Sequence, residues 1–354
     1  MLLLRPDHIG DVLLTSPAVA LLRESLPSAH LTYLVGPWSA EAAGGGPRVD
    51  TLRTLRYPGF TRRTNPNLLG PYALLMRESA RLRRERYDLA VVFRPDHWWG
   101  VLLTLLAGIP VRVGGRTPET TPLLTHVRAT APGEHTARTA LELARLGLDA
   151  FNVPAVDVST RPSFQVTEVH RQTALDFWTR YALDSRPVVA VAPSAGAALK
   201  AWPIQRWASL ANGLIARGTA VLLVGGPDDG ALLAAIQARV SPAPAVTASG
   251  QSLGISAALF ERCALLVGLD GGQAHLAAAV GTPTVRLYGP ASSETFGPWP
   301  PQEQQRVLIT RGLSCVPCGH LEGPPCGATT LPACLLALGV EDVLHAVSAQ
   351  LDGL

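Results

Sequence analysis

Three short segments of this sequence combine residue types that can move a proton and hold an anionic leaving group. The first, Arg5-Pro6-Asp7-His8-Ile9-Gly10-Asp11-Val12, leads from a short apolar run into a helical pattern. A carboxylate at Asp11 can cap free N–H groups at the helix start, or take a proton from a substrate hydroxyl as a general base. On pattern alone both readings stand. The second segment, Ala192 to Pro203, follows an apolar strand with small residues, among them Ser194 and Gly196, and ends in Lys200-Ala201-Trp202-Pro203. Small residues let the backbone approach a ligand, and the ammonium can neutralise phosphate charge. The spacing is not that of a P-loop. The third, Gly268-Leu269-Asp270-Gly271-Gly272-Gln273-Ala274-His275, passes from a strand through two glycines into a small-residue helix. Free N–H groups and the positive dipole end at such a helix start suit a pyrophosphate. His275 can donate to a phosphate oxygen and Asp270 is given the sugar hydroxyls. A tight turn with a helix-packed histidine is the alternative.

Lys200 is the only lysine in a chain otherwise rich in arginine. A lone ammonium marks a place where a guanidinium fork does not fit, unless its survival is chance. No Asp-x-Asp pair occurs in the chain. That argues against a divalent metal bridging a diphosphate, so no cofactor is expected for catalysis, and the helix terminus and Lys200 are expected to stabilise the leaving group. Asp228 or Asp229, after an apolar strand ending near Gly226, can bind a ribose hydroxyl, as the acidic residue does in dinucleotide folds. Four of the five cysteines, Cys315, Cys318, Cys326 and Cys334, fall within twenty residues. Clustered thiols of this kind hold a structural zinc or iron–sulfur group, or stay as free or paired thiols. Cys263 reads as core.

These segments need elements to position them, and the chain supplies a series. Short apolar β-rich runs alternate with helix-period stretches throughout, the signature of parallel βαβ units. Strands are expected at 1–4, 31–35, 89–93 and 111–113, then at 188–192, 220–224, 264–268 and 284–288. Leu14, Ala18, Leu21, Leu22 and Leu26 form one helical stripe. The 354 residues, 47% hydrophobic and 16% charged, suffice for two cores. A turn-rich stretch over 153–162 places the linker, giving a first domain at 1–160, a second at 161–330 and a helical tail at 331–354, free to pack back on the first domain. The expected fold is therefore α/β, two Rossmann-like domains with parallel sheets and a cleft between them. No apolar run reaches a membrane span, and the start lacks a secretory signal, so the protein is expected in the cytoplasm.

Net charge is only +3, yet the first 165 residues carry 19 arginines against 14 acidic residues and the rest 11 basic against 13 acidic. An anionic partner for the first half, or drift on a solvated surface, explains this equally. His8 and Arg63, the latter in a Pro/Gly-rich loop over 57–72, are the candidate acceptor contacts. The helix over 77–86 reads as a solvated face.

In this order, the three segments resemble family 9 glycosyltransferases, the bacterial heptosyltransferases. The likeness runs from the Arg-x-Asp-x-Ile-Gly-Asp-Val opening through Lys-x-Trp-Pro to the Asp270–Ala277 block and Gly281-Thr282-Pro283, covering nearly the whole chain. It implies a GT-B fold, inversion at the anomeric carbon, ADP-heptose as donor and the lipopolysaccharide inner core as acceptor. The latter is a glycan or glycolipid at the inner membrane face, reached by a peripheral enzyme with no transmembrane segment and no nucleic-acid partner. By the same likeness Asp11 matches the base and Lys200 the donor phosphate ligand, while Asp270, Gly271 and His275 match the donor block. Ser194, Gly196, Asp228 and Gly272 complete the expected donor contacts; Gly272 departs from the family's usual residue. Two other readings are a nucleotide-sugar epimerase, which would convert donor without acceptor, and a non-catalytic relative that binds donor without turnover.

Overall fold

The computed structural model describes residues 1–60, 69–241, 245–310 and 312–353. It divides into two compact units, Met1–Ser163 and Phe164–Leu354. The first is built on six parallel strands: β1 (Leu2–Arg5), β2 (Thr32–Val35), β3 (Thr51–Thr54), β4 (Leu89–Val92), β5 (Val111–Gly115) and β6 (His126–Arg128). Their order is β3-β2-β1-β4-β5-β6. The second has β7 (Val188–Ala192), β8 (Ala220–Gly225), β9 (Val246–Ser249), β10 (Leu265–Leu269), β11 (Thr284–Tyr288) and β12 (Gln305–Ile309), ordered β12-β11-β10-β7-β8-β9. Both are the doubly wound order in which winding reverses at the middle, between β1 and β4 and between β7 and β10. Ligands of such sheets bind outside the carboxyl ends of the strands at that reversal.

Burial on both faces explains the composition of the central strands. Leu2, Leu3 and Leu4 of β1, and Val189, Ala190 and Val191 of β7, have no exposed surface. Strands covered by helices on both sides read as continuous aliphatic runs. The helix Ile9–Ser25 buries Leu14, Ala18, Leu21 and Leu22, each leucine contributing about 1.5–3 kcal/mol. Pro17 lies inside this helix and cannot donate to the Leu13 carbonyl. The Ser16 hydroxyl donates to that carbonyl instead, at 2.7 Å.

In the second unit the helices Ile204–Ala216 and Val340–Leu351 pack together, and Val343, Leu344 and Val347 join Trp207, Leu210 and Leu214 in one core. One face of the C-terminal helix is thus part of the second unit's core. Trp202 is buried in the same core, its ring edge-on to Trp207 at 4.8 Å, with Nε1 donating to the Leu338 carbonyl at 3.1 Å. The tryptophan of the Lys-x-Trp-Pro step therefore pins the loop that carries Lys200. Among the described residues no helix is long and apolar enough to cross a membrane.

Candidate active site

Every candidate of the first segment stands at the β1/β4 reversal. Arg5 closes β1 and is 4% exposed. Its guanidinium donates to the Phe93 carbonyl at 2.7 Å and to Asp11 Oδ1 at 3.3 Å, and its Nε lies 2.9 Å from Asp7 Oδ2, out of line for a hydrogen bond. Asp7 is buried and also pairs with Arg94, which follows β4 and binds Asp96 at 2.7 Å. Burial pushes the Asp7 carboxyl up, but Arg5 and Arg94 more than offset this and hold it below its ordinary value. The Asp7 carbonyl accepts from Trp38 Nε1 at 2.9 Å and from Ser39, which fixes the turn.

The two carboxylates divide by exposure. The Asp7 side chain is 6% exposed and that of Asp11 24%. Of the two, Asp11 is the more open to solvent. The N-cap of the helix is His8, so Asp11 is the third helical residue, an acidic side chain in the first turn. His8 is exposed, its ring 5.9 Å from that of Trp38. Arg63 lies outside the described residues.

Sequence reasoning missed Arg94 and His97. His97 is buried among Tyr57, Phe60 and Trp99, with ring centroids 5.2–6.4 Å away, and neither ring nitrogen has a hydrogen-bond partner among the described residues. Burial drives its pKa down to about 4, with Arg94 also lowering it and Asp7 opposing. The one available signal was position, directly after a strand beside the reversal.

At the β7/β10 reversal the second and third segments meet. Gly268 pairs with Ala192, and a Cβ at Gly268 would sit 2.7 Å from the Ala192 carbonyl oxygen, so glycine is what lets these strand ends approach. Beyond them, Lys200 Nζ donates to Asp270 Oδ2 at 2.5 Å. Gly271 caps the helix Gly272–Ala279 and brings no capping side chain. The first amides of that helix lack intrahelical acceptors, so they are placed for an anion. Ser194 donates to Asp229 Oδ2 at 2.6 Å, and the same carboxylate accepts from the Gly226 amide. Gly196 lies in the exposed part of that loop.

Of the two acidic candidates after β8, Asp228 is exposed and Asp229 reaches Ser194. His275 is buried beside Asp270, with Nε2 3.7 Å from Asp270 Oδ1 and Nδ1 3.4 Å from Arg286, so both ring nitrogens point at protein groups. Burial pushes Asp270 up, but His275 and Lys200 together hold it well below the carboxylate range. The cysteines also differ. Cys315, Cys318, Cys326 and Cys334 line one cavity with Leu199 and Pro290, and all are free thiols. Among the described residues no group of three or more His, Cys, Asp or Glu is arranged to hold a metal ion. The structural zinc or iron–sulfur group is therefore not supported. Cys263 is buried in the core, as its apolar setting suggested.

Two doubly wound parallel sheets, each with chemistry at its reversal, define an α/β protein of the GT-B class. Residues 76–323 match the profile of glycosyltransferase family 9 (heptosyltransferase). The chain belongs to that family and is a glycosyltransferase. It is 28% identical over 324 residues to lipopolysaccharide heptosyltransferase 2 of Escherichia coli, covering 88% of each chain. Its fold is similar to that of a family 9 glycosyltransferase from Veillonella parvula, at TM-score 0.77 and 21% identity over 100% of this chain and 97% of that one. It is also similar to E. coli ADP-heptose lps heptosyltransferase II, at TM-score 0.75 and 24% identity over 99% and 98%.

Proposed function

We propose that this glycosyltransferase moves a heptose from ADP-heptose to a hydroxyl of an anionic cell-envelope glycolipid, with inversion and without a catalytic metal. The second unit holds the donor and the first supplies the base. Asp11 takes the acceptor proton; the freed oxygen forms a bond to the anomeric carbon on the face opposite the diphosphate. The carbon–oxygen bond to the diphosphate breaks, and ADP departs carrying the electron pair. The amides after Gly271 and the Lys200 ammonium receive that charge, a preorganised stabilisation that needs no divalent ion. Once a diphosphate draws Nζ away, Asp270 can accept from sugar hydroxyls. The names of the relatives support the donor and the glycolipid class; the arginine excess of the first 165 residues supports an anionic acceptor.

The observation that carries the reading is Lys200 standing 2.5 Å from Asp270 beside a glycine-capped helix start. A thermal-shift series with ADP-, UDP- and GDP-sugars tests it. The true donor stabilises the fold by about 2.7 kcal/mol at a hundred times its dissociation constant. ADP-heptose should give the largest shift, and product should appear only when acceptor is added. No shift with any nucleotide sugar, or conversion of donor alone, would overturn the proposal.

A further inference from the structure

Arg286 is the most deeply buried cation of the second unit and has no solvent exposure. It stands on β11 opposite Gly268 of β10. Among the described residues no carboxylate pairs with it. Its Nε donates to Thr284 Oγ1 at 2.9 Å, and one terminal nitrogen donates to Gln305 Oε1 at 3.2 Å. The other terminal nitrogen lies 3.4 Å from His275 Nδ1. A buried charge whose hydrogen-bond partners are neutral is costly, and an aliphatic residue would suit a strand interior better. What the guanidinium adds is direction. Arginine only donates, so His275 Nδ1 must accept, which leaves the imidazole proton on Nε2, facing Asp270.

We infer that Arg286 is a positioning residue of the donor site: it fixes His275 in the tautomer whose Nε2–H faces Asp270, and so sets the carboxylate that seats Lys200. The inference rests on reading Lys200 and Asp270 as the donor site. Three charged groups face His275: Asp270 from the end of β10, Arg286 from β11 and Lys200 from the loop after β7. Burial lowers the His275 pKa first, Asp270 opposes, and Arg286 and Lys200 add to the lowering. Without Arg286 the lock on Nδ1 disappears and the titration moves upward. An imidazolium formed there would compete with Lys200 for Asp270.

The test is a long-range 1H–15N correlation spectrum of the full chain labelled in histidine, with the His275 signal assigned by its loss in His275→Gln. The native protein should show a bare Nδ1 and a protonated Nε2 at pH 8. Arg286→Met should give mixed tautomers, an upward-moved titration and ADP binding weakened roughly 2- to 30-fold, the range for a residue coupled to a site through an intermediary. Arg286→Gln keeps an amide donor and should restore the native pattern in part. A protonated Nδ1 in the native protein overturns the inference, even if Arg286→Met does not fold. So does an Arg286→Met variant with native tautomer and native ADP affinity. Should the tautomer be as inferred while ADP fails to bind the native protein, it is the donor-site reading that falls.

Discussion

The two strand reversals share one topology and hold opposite chemistry. At β1/β4 the turn is crowded with charge: Arg5, Asp7, Arg94 and Asp96 form a chain of ion pairs around Asp11. At β7/β10 the turn is made of small residues, with one ammonium on one carboxylate beside open helix amides. The fold fixes where a ligand can sit, and the residues at two strand ends decide what happens there. The first reversal buries one carboxylate between two guanidinium groups and leaves a second partly open. The second sets a lone ammonium beside a helix start that has no capping side chain.

Substitutions that break one reversal should spare the other. The largest effect is expected from Asp11→Asn, which removes the base and should cut kcat roughly 100- to 10,000-fold in a transfer assay. Lys200→Met comes next. It leaves the buried Asp270 carboxylate without its cation, at about 3–5 kcal/mol in denaturant melts. Asp270 has a depressed pKa, so its contribution is present above the unfolded carboxylate value and lost as pH falls through the folded one. In Lys200→Met that acid-side loss should begin at higher pH. His97→Phe sharpens the first reversal. His97 titrates near 4 when folded and near 6.5 when unfolded, so the unfolded chain binds the extra proton between these values. Stability should therefore fall by about 3 kcal/mol from pH 6.5 to 4 in the native protein, and much less in the variant. The smallest contrast is Asp229→Ala, at about 1–2 kcal/mol for lost half-buried hydrogen bonds, against Asp228→Ala, within about 0.5 kcal/mol. Equal melting temperatures for the last pair would remove Asp229 from the site.

Legibility in the sequence followed burial. The eight inner strands were all readable, because strands covered on both faces become aliphatic runs. The four that went unseen, β3, β6, β9 and β12, are the edges of the two sheets. Thr51-Leu52-Arg53-Thr54 shows why: an edge strand is half open, so its apolar content falls to one residue in four. The candidate residues carried by turn motifs, such as Asp11, Lys200 and Asp270, could be picked out from their segments. Arg94 and His97 were not, because their meaning comes from β4 lying beside β1, a pairing across more than eighty residues. Arg286 was hidden for a related reason, since an arginine in a strand reads as an outward-facing residue until its neighbours are known. For His275 the helix was legible but not the choice between a ligand-facing and a helix-packed side chain, because helix phase at the first turn depends on the cap position.

The division of labour between the reversals is tested most directly by titrating ADP into Asp11→Asn and Lys200→Met in parallel by calorimetry. The account expects Asp11→Asn to bind ADP within about twofold of the native protein, too small a change for a shared binding term, while Lys200→Met loses most of its affinity. If Asp11→Asn weakens ADP as much as Lys200→Met does, the two reversals do not have separate roles and the assignment of base and donor site is wrong.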